Sequence, residues 1–146
     1  MMFADAAIRA CTLEEAALLL DFWREAGAEP TATDDPQGVN MLLREREDAD
    51  LIAVVEGKIV GTVIAVFDGW RGNIYRLAVL PSHRRAGIAR KLVAEAERRL
   101  AIRGAKRLSA VASLHSDQAI PFWESMADQG WRPSHPGIRY AKTLGR

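Results

Sequence analysis

The sequence predicts an α/β (α+β) fold, in which a mixed, mostly antiparallel sheet of about six to seven strands is flanked by about four helices. Three apolar, strand-like runs follow one another between residues 51 and 80 and are separated by short turns, which is typical of an antiparallel meander. A long amphipathic run over residues 86–103 then leads to a further strand, which indicates a parallel βαβ crossover. The 146 residues, 49% of them hydrophobic, suffice for one core, so we expect a single domain over residues 1–146.

The first half of the chain begins with a strand and two helices. Thr12 and Glu15 have the spacing of a capping box at the start of the first helix. Asp34 or Asp35 caps the second helix, where Pro36 occupies a permitted first-turn position. In order, we expect strand, helix, helix, strand and strand over residues 6–10, 12–26, 36–47, 51–55 and 58–67.

The second half alternates strands and helices. Gly104 is expected just past the end of the third helix, as its C′ residue. Ser116 or Asp117 caps a fourth helix, which Pro121 causes to start late or to bend. In order, we expect strand, helix, strand, helix and the last strand or strands over residues 74–80, 86–103, 107–112, 116–128 and 131 with 138–143.

Composition excludes several classes of function. A net charge of +1 gives no general attraction to nucleic acid or to membranes. No apolar run approaches the ~20 residues of a membrane span, and no basic and then apolar leader opens the chain, so a cytoplasmic location is expected. The single cysteine, Cys11, cannot form an intrachain disulfide and is expected to be a small buried apolar residue. His83 and His135 show no ligand spacing with other histidines, so no metal site is expected.

The most informative segment is a basic, small-residue turn between the run that ends at Leu80 and the following helix. A strand, such a turn and a helix N-terminus together make an anion site, because exposed N–H groups and the positive end of the helix dipole converge there. Gly87 and Ala89 allow a phosphate to approach the backbone closely. Neither the Gly-Lys-Ser/Thr of a Walker loop nor a Gly-x-Gly-x-x-Gly fingerprint is present. Charge around the turn comes from Arg84, Arg85, Arg90 and Lys91.

Residues 77–89 read Leu-Ala-Val-x-Pro-x-x-Arg-x-x-Gly-Ile-Ala. This string resembles the Arg/Gln-x-x-Gly-x-Gly/Ala signature of the GCN5-related N-acetyltransferases (GNAT), which cradle the pyrophosphate of acetyl-CoA. The order of elements is similar to that fold over essentially the whole chain. The resemblance implies acetyl-CoA as cosubstrate, no metal, and a splay between strands four and five. It also implies that pyrophosphate binds at Arg84, Arg85, Ala86, Gly87, Ile88, Ala89 and Arg90.

By the same resemblance, the pantetheine arm lies in the splay and pairs with the backbone of Leu77, Ala78 and Val79. The Leu77 N–H is then the donor to the thioester carbonyl, and such a donor stabilises the developing oxyanion by about 3 kcal/mol. Tyr75 stands where many relatives carry a glutamate, so it is a candidate catalytic acid or base. Strand alternation places Tyr75 on one face with Leu77 and Val79. His115, beyond strand five, is the alternative base.

A second motif begins at Ser116. Residues 116–124 are similar to the family's Asn-x-x-Ala-Ile-x-x-Tyr-Glu, with Ser116 in place of the Asn and Trp123 in place of the Tyr. Both residues are therefore expected at the cofactor. The indole cannot protonate a leaving thiolate at neutral pH, so the CoA thiolate leaves unassisted or with another donor. A thiol pKa of about 8.5 makes unassisted departure feasible.

The acceptor is expected on the side of the first two helices and the hairpin over residues 68–73, because the acetyl end would point back toward Tyr75. The expected activity is direct transfer, in a ternary complex, from acetyl-CoA to the primary amine of a small molecule. A CoA-binding module with weak or no catalysis and a protein or peptide acetyltransferase stay open as alternatives, as does a homodimer. Aromatic and acidic candidates for the acceptor side are Trp23, Glu29, Asp34, Asp35, Asp68 and Trp70.

Overall fold

The computed structural model describes residues 5–46, 48–134 and 137–145. They form two compact units, which divide between Ala110 and Val111. Within these ranges, no helix is long and apolar enough to cross a membrane. His135 and Glu47, the expected end of the second helix, lie outside the described residues.

The first unit contains one sheet with the strand order β1-β2-β3-β4-β5. Its strands pair antiparallel, except that β4 and β5 are parallel, which confirms the predicted mixed sheet. The crossover from β4 to β5 contains the third α-helix, as expected. The strand bounds are β1 Ala7–Ala10, β2 Asp50–Val55, β3 Lys58–Phe67, β4 Gly72–Val79 and β5 Leu108–Ala110.

The expected number of six to seven strands is wrong, because the described residues form five. No strand is formed at Trp131 or within 137–145. Ile138 and Tyr140 do alternate along the chain, yet they are 79% and 89% exposed. An alternating pattern marks residues that suit a strand, but a strand forms where a neighbour completes its hydrogen bonds, and the pattern does not supply that neighbour.

Local sequence signals explain where the helices begin. The Thr12 N–H donates to Glu15 Oε1 at 3.0 Å, as the capping box predicts, and a short 3-10 turn, Leu13–Glu15, precedes the first α-helix. Asp35 caps the second helix by accepting from the Gly38 N–H at 2.6 Å. The bounds are α1 Ala16–Glu25, α2 Pro36–Glu45, α3 Ile88–Ile102 and α4 Ala119–Ser125.

Helix α3 packs closely against the sheet. A Cβ added to Gly61 in β3 would lie 3.0 Å from Leu92 Cδ1 and 3.2 Å from Ile88 Cγ2, so the glycine allows the helix to approach. The buried face of α3 consists of Ile88, Leu92, Val93, Ala96 and Leu100. Burial of five such side chains anchors the helix whose N-terminus follows the basic turn.

The second unit contains α4, which starts late, with Pro121 in its first turn, as expected. The N-cap of α4 is Gln118, so the expectation of Ser116 or Asp117 at that position is wrong. Ser116 Oγ instead forms a turn just before the helix, where it accepts from the N–H groups of Gln118 and Ala119 at 3.3 and 3.2 Å. A 3-10 turn, Met126–Gln129, follows α4 and buries Met126.

Candidate active site

The edge of β4 that faces β5 is paired over only part of its length. The parallel register joins Gly72–Ile74 to Leu108–Ala110, which is three residue pairs. From Tyr75 to Val79, no described strand pairs with this edge. Apart from Val79 O, which accepts from Arg84 Nε, backbone groups that face this edge can pair with an extended ligand, as in sites where a ligand adds to a sheet edge.

Backbone direction identifies which residues face the unpaired edge. The Leu80 N–H donates to Val60 O of β3 at 2.9 Å. Because backbone groups alternate in direction along a strand, Val79 and Leu77 direct theirs to the unpaired edge. Ala78 directs its groups toward β3 and stands opposite Thr62. Of the three residues expected to hold the pantetheine arm, Leu77 and Val79 have the required orientation.

A β-bulge interrupts β4 at Arg76. Thr62 is opposite Ala78, while Ile64 is opposite Tyr75, so one residue of β3 faces two residues of β4. Arg76 has a φ of +53°, in the left-handed region that non-glycine residues seldom adopt. The bulge re-aims the side chains on either side of it.

The bulge makes the expected sharing of one face by Tyr75, Leu77 and Val79 wrong. Val79 stands opposite Gly61, whose missing Cβ points at α3, so Val79 is on the α3 face. Tyr75 stands opposite Ile64 and shares the other face with Ala78. The expectation assumed that side chains alternate between the two faces along the whole of β4. The extra residue of the bulge reverses the face for the residues that precede it. Tyr75 is 47% exposed there.

The basic turn ends in an accessible helix N-terminus. Gly87 is the N-cap of α3 with a φ of +81°, and Arg85 has a φ of +63°. The Lys91 N–H donates to Gly87 O at 3.1 Å, so the three N–H groups from Ile88 to Arg90 precede the intrahelical ladder. A Cβ on Gly87 would meet no atom within 4 Å. The turn therefore presents N–H groups and the helix dipole to open space, which suits a phosphate.

Arg84 is hydrogen-bonded to neighbouring backbone, whereas the side chain of Arg85 is exposed. Arg84 Nε donates to Val79 O at 3.0 Å, and its Nη2 donates to Ala26 O at 3.2 Å. Arg84 thereby ties the turn to the end of β4 and to the end of α1. Arg85 and Ala86 are exposed, while the side chain of Ile88 is buried beneath the turn, so the backbone is what Ile88 offers an anion.

The β3–β4 hairpin contains two expected acceptor-side residues. Asp68 Oδ1 accepts from the N–H groups of Trp70 and Arg71 at 2.9 and 2.7 Å, which lowers the pKa of the Asp68 carboxyl. Asp68 thus holds the turn in shape. Trp70 is 71% exposed, and the Arg71 guanidinium lies 4.1 Å from its ring centroid, so one face of the ring is covered.

Three other expected acceptor-side residues gather around Arg76, which the sequence did not single out. Its guanidinium lies 5.4 Å from the Trp23 ring centroid, donates to Glu29 O at 2.8 Å and pairs with Asp34. Trp23 is 4% exposed, so it contributes as a buried support. The partners lie 42 to 53 residues before Arg76, and no local pattern joins them.

A protein-family comparison agrees with this geometry. Residues 15–127 match the model of the Acetyltransferase (GNAT) family. The chain belongs to the GNAT family. A curated acetyltransferase of Pectobacterium atrosepticum is 30% identical over 108 residues, which are 74% of this chain and 77% of that protein.

Solved GNAT structures share the fold. The paia N-acetyltransferase of Thermoplasma acidophilum, in complex with coenzyme A, has a TM-score of 0.70 and 14% identity, covering 86% of this chain and 89% of its own. The aminoglycoside N-acetyltransferase AAC(6')-Iy, in complex with a bisubstrate analog, has a TM-score of 0.73 and 18% identity, covering 97% of this chain and 100% of its own. At these identities the likeness concerns the fold.

In this GNAT chain, Trp123 packs within the second unit. Its ring centroid lies 5.1 Å from that of Phe122, in an edge-on arrangement, and 4.6 Å from that of Trp131. The side chain is half-buried in this aromatic cluster. Packing of this kind depends on ring area rather than on the indole N–H.

Trp123→Phe is expected to retain kcat within a factor of about three, because the ring packing survives and no titrating group is lost. Loss of a general acid would cost roughly 100-fold or more. Steady-state kinetics with acetyl-CoA measures the difference, and calorimetry with CoA verifies that the cofactor still binds. A 100-fold fall in kcat with intact CoA binding would show that the indole N–H participates in the reaction.

Cys11 is expected to be inert toward thiol reagents in the native protein. It is 3% exposed, and burial raises the pKa of its thiol to about 12, so almost no thiolate exists at neutral pH. Ellman's reagent should titrate one thiol per chain in urea and essentially none before unfolding. Stoichiometric reaction of the folded protein would refute this and would add a background to any assay that detects free CoA.

Proposed function

We propose that this GNAT protein, as one acetyltransferase domain over residues 1–146, transfers an acetyl group from acetyl-CoA to the primary amine of a small molecule. The observation that carries the proposal is the unpaired β4 edge at Leu77 and Val79, which lie ten and eight residues before Gly87, the N-cap of α3. An edge that can pair with an extended arm and a turn that can bind phosphates match the two parts of CoA.

The chain's own groups supply binding and electrostatic stabilisation. Backbone N–H groups of the turn hold the pyrophosphate, and the edge of β4 pairs with the arm. The Leu77 N–H donates to the thioester carbonyl oxygen, where negative charge develops during attack. The amine nitrogen forms the new C–N bond, the C–S bond breaks, and CoA leaves as the thiolate. Direct transfer in a ternary complex requires no nucleophilic side chain.

Tyr75 is the side chain of β4 that we consider for proton transfer. Tyr75 lies two residues before Leu77, is 47% exposed, and faces away from α3. A hydroxyl in that position can relay the amine proton, accepting it while it gives its own proton to water. We propose Tyr75 as this group.

A small-molecule acceptor is favoured by one comparison. The aminoglycoside N-acetyltransferase AAC(6')-Iy has been solved with a bisubstrate analog, CoA-S-monomethyl-acetylneamine. That protein shares the fold of this chain at 18% identity, so the preference is a proposal for this chain.

The test is a transfer assay on the purified full chain with acetyl-CoA, a panel of small amines and a panel of basic peptides. Acetylated product is identified by mass spectrometry, and released CoA by a thiol reagent. Transfer to small amines supports the proposal, whereas transfer to peptides alone favours a protein acetyltransferase. Tight CoA binding by calorimetry without transfer to either panel would identify a CoA-binding module.

A further inference from the structure

Arg76 joins the strand beside the proposed acetyl site to the loop between α1 and α2. Its Nη2 donates to Glu29 O at 2.8 Å and to Thr31 Oγ1 at 3.4 Å, and it forms an ion pair with Asp34. The Thr31 N–H in turn donates to Asp34 Oδ2 at 2.8 Å. We call this group of four residues, Arg76 with Glu29, Thr31 and Asp34, the Arg76 latch.

The latch is largely withdrawn from solvent. The side chains of Arg76 and Asp34 are 17% and 14% exposed, and the guanidinium lies over the buried ring of Trp23. An ion pair screened this little retains much of its Coulomb energy, and removal of one partner leaves an uncompensated charge. Exposed ion pairs of the first unit, such as Arg24 with Asp21 at 72% and 73% exposure, are screened by solvent and contribute little.

The latch lies next to the proposed reaction centre. Arg76 directly precedes Leu77, so their Cα atoms are about 3.8 Å apart. The bulge turns Arg76 toward the α1–α2 loop, while Leu77 directs its backbone to the unpaired edge. For an amine that approaches the Leu77 N–H from the side of the α1–α2 loop, as the proposed function has it, a change of charge in the latch alters the electrostatic potential along its path.

We propose that Arg76 is a positioning residue that sets the charge preference for the acceptor, an inference that rests on the proposed function. Arg76 fixes the α1–α2 loop as a wall of the acceptor site and neutralises Asp34. Because Arg76 compensates the Asp34 carboxylate, the wall carries no net negative charge at this point. Asp34 therefore gives a doubly charged amine no advantage over a singly charged one.

The test compares 1,5-diaminopentane with 1-aminopentane, which differ by one positive charge, at pH 8. Their KM values in acetyl transfer and their affinities for the CoA-loaded chain by calorimetry are measured for Arg76→Gln, Asp34→Asn and the double variant. We expect Arg76→Gln to improve the diamine about fivefold relative to the monoamine, and Asp34→Asn to worsen it by a similar factor. The double variant, which restores neutrality, should return the ratio to near the wild-type value.

Arg9→Gln is the matched control. Arg9 pairs with Glu15 at 2.7 Å, but β1 is three strands away from β4 in the sheet, roughly 14 Å at the usual strand spacing. This variant should leave the diamine-to-monoamine ratio unchanged and both KM values for the amines intact. Any change in KM that Arg9→Gln does cause measures the effect of losing an arginine ion pair on the stability of the fold, away from the acceptor site.

The outcomes separate the latch from the proposed function. Single variants that change both amines in the same direction, or that change CoA binding alone, would show a merely structural role and overturn the inference. Latch-dependent amine binding without any acetyl transfer would support the latch and refute the proposed activity. Absence of amine binding in the wild-type chain would refute the latch as an acceptor wall.

Discussion

Gly87→Glu is expected to lower the affinity for CoA by about 100-fold or more, while the chain stays folded. The new carboxylate would stand at the N-terminus of α3, where the pyrophosphate must lie, and would repel it. A Cβ at Gly87 meets no atom within 4 Å, so the substitution creates no clash inside the protein. The φ of +81° adds a strain of about 1 kcal/mol, partly offset by the favourable position of an anion at a helix N-terminus.

Gly57→Glu is the control for that strain. Gly57, in the β2–β3 turn, has a φ of +79° and likewise no neighbour within 4 Å of an added Cβ. Thermal unfolding should show similar losses for the two variants, whereas calorimetry with CoA should show weakened binding for Gly87→Glu alone. Equal CoA affinities in the two folded variants would refute the assignment of the turn to the pyrophosphate.

Asp50→Asn is expected to gain stability relative to wild type as the pH rises from 4 to 8, whatever constant cost its buried amide adds. Asp50 is fully buried, Thr62 Oγ1 donates to its Oδ1 at 2.8 Å, and its Oδ2 has no hydrogen-bond partner among the described residues. Burial raises the pKa of this carboxyl to about 7 from an ordinary value of 3.8. The folded state therefore holds a proton that the unfolded state releases.

The pH dependence follows from linkage. Below pH 4 both states are protonated, so Asp50 does not penalise folding. Between about pH 4 and pH 7 the free energy of unfolding falls as pH rises, and above pH 7 the loss is constant. Three pKa units at about 1.4 kcal/mol each give a loss of roughly 4 kcal/mol as an upper estimate.

Urea unfolding at pH 4 and pH 8 measures the effect. Asp50→Asn removes the titration, so its gain over wild type should grow by several kcal/mol between the two pH values. Asp21→Asn, at an exposed position with 73% of its side chain accessible, should show no such growth. A pH-independent difference for Asp50→Asn would mean that Asp50 is ionised in the folded protein.

Signals that lie within a few residues predicted their part of the fold correctly. The strand over residues 58–67 has the expected bounds. Asp35 caps α2, and Thr12 starts the 3-10 turn that leads into α1. The turn with Gly87 and the helix after it follow from a short motif in which backbone conformation and residue type are directly linked. Such features need no information from elsewhere in the chain.

Features that depend on distant partners could not be predicted in this way. The bulge at Arg76 arises from the pairing of β4 with β3, and the sequence of β4 alone reads as a regular strand. The latch joins Arg76 to Asp34 across 42 residues. Whether Ile138 and Tyr140 belong to a strand depends on a neighbour, and their alternation alone predicted one wrongly.

The short distance along the chain between Leu77 and Arg90 has a consequence for how this protein can evolve. Within the first unit, every residue proposed to contact the donor comes from those fourteen positions. The proposed acceptor wall instead uses the α1–α2 loop, which Arg76 links to β4. Mutation or recombination in the first third of the gene can therefore alter which amine is accepted without touching the donor segment, so new acceptors can be acquired while acetyl-CoA use is inherited intact.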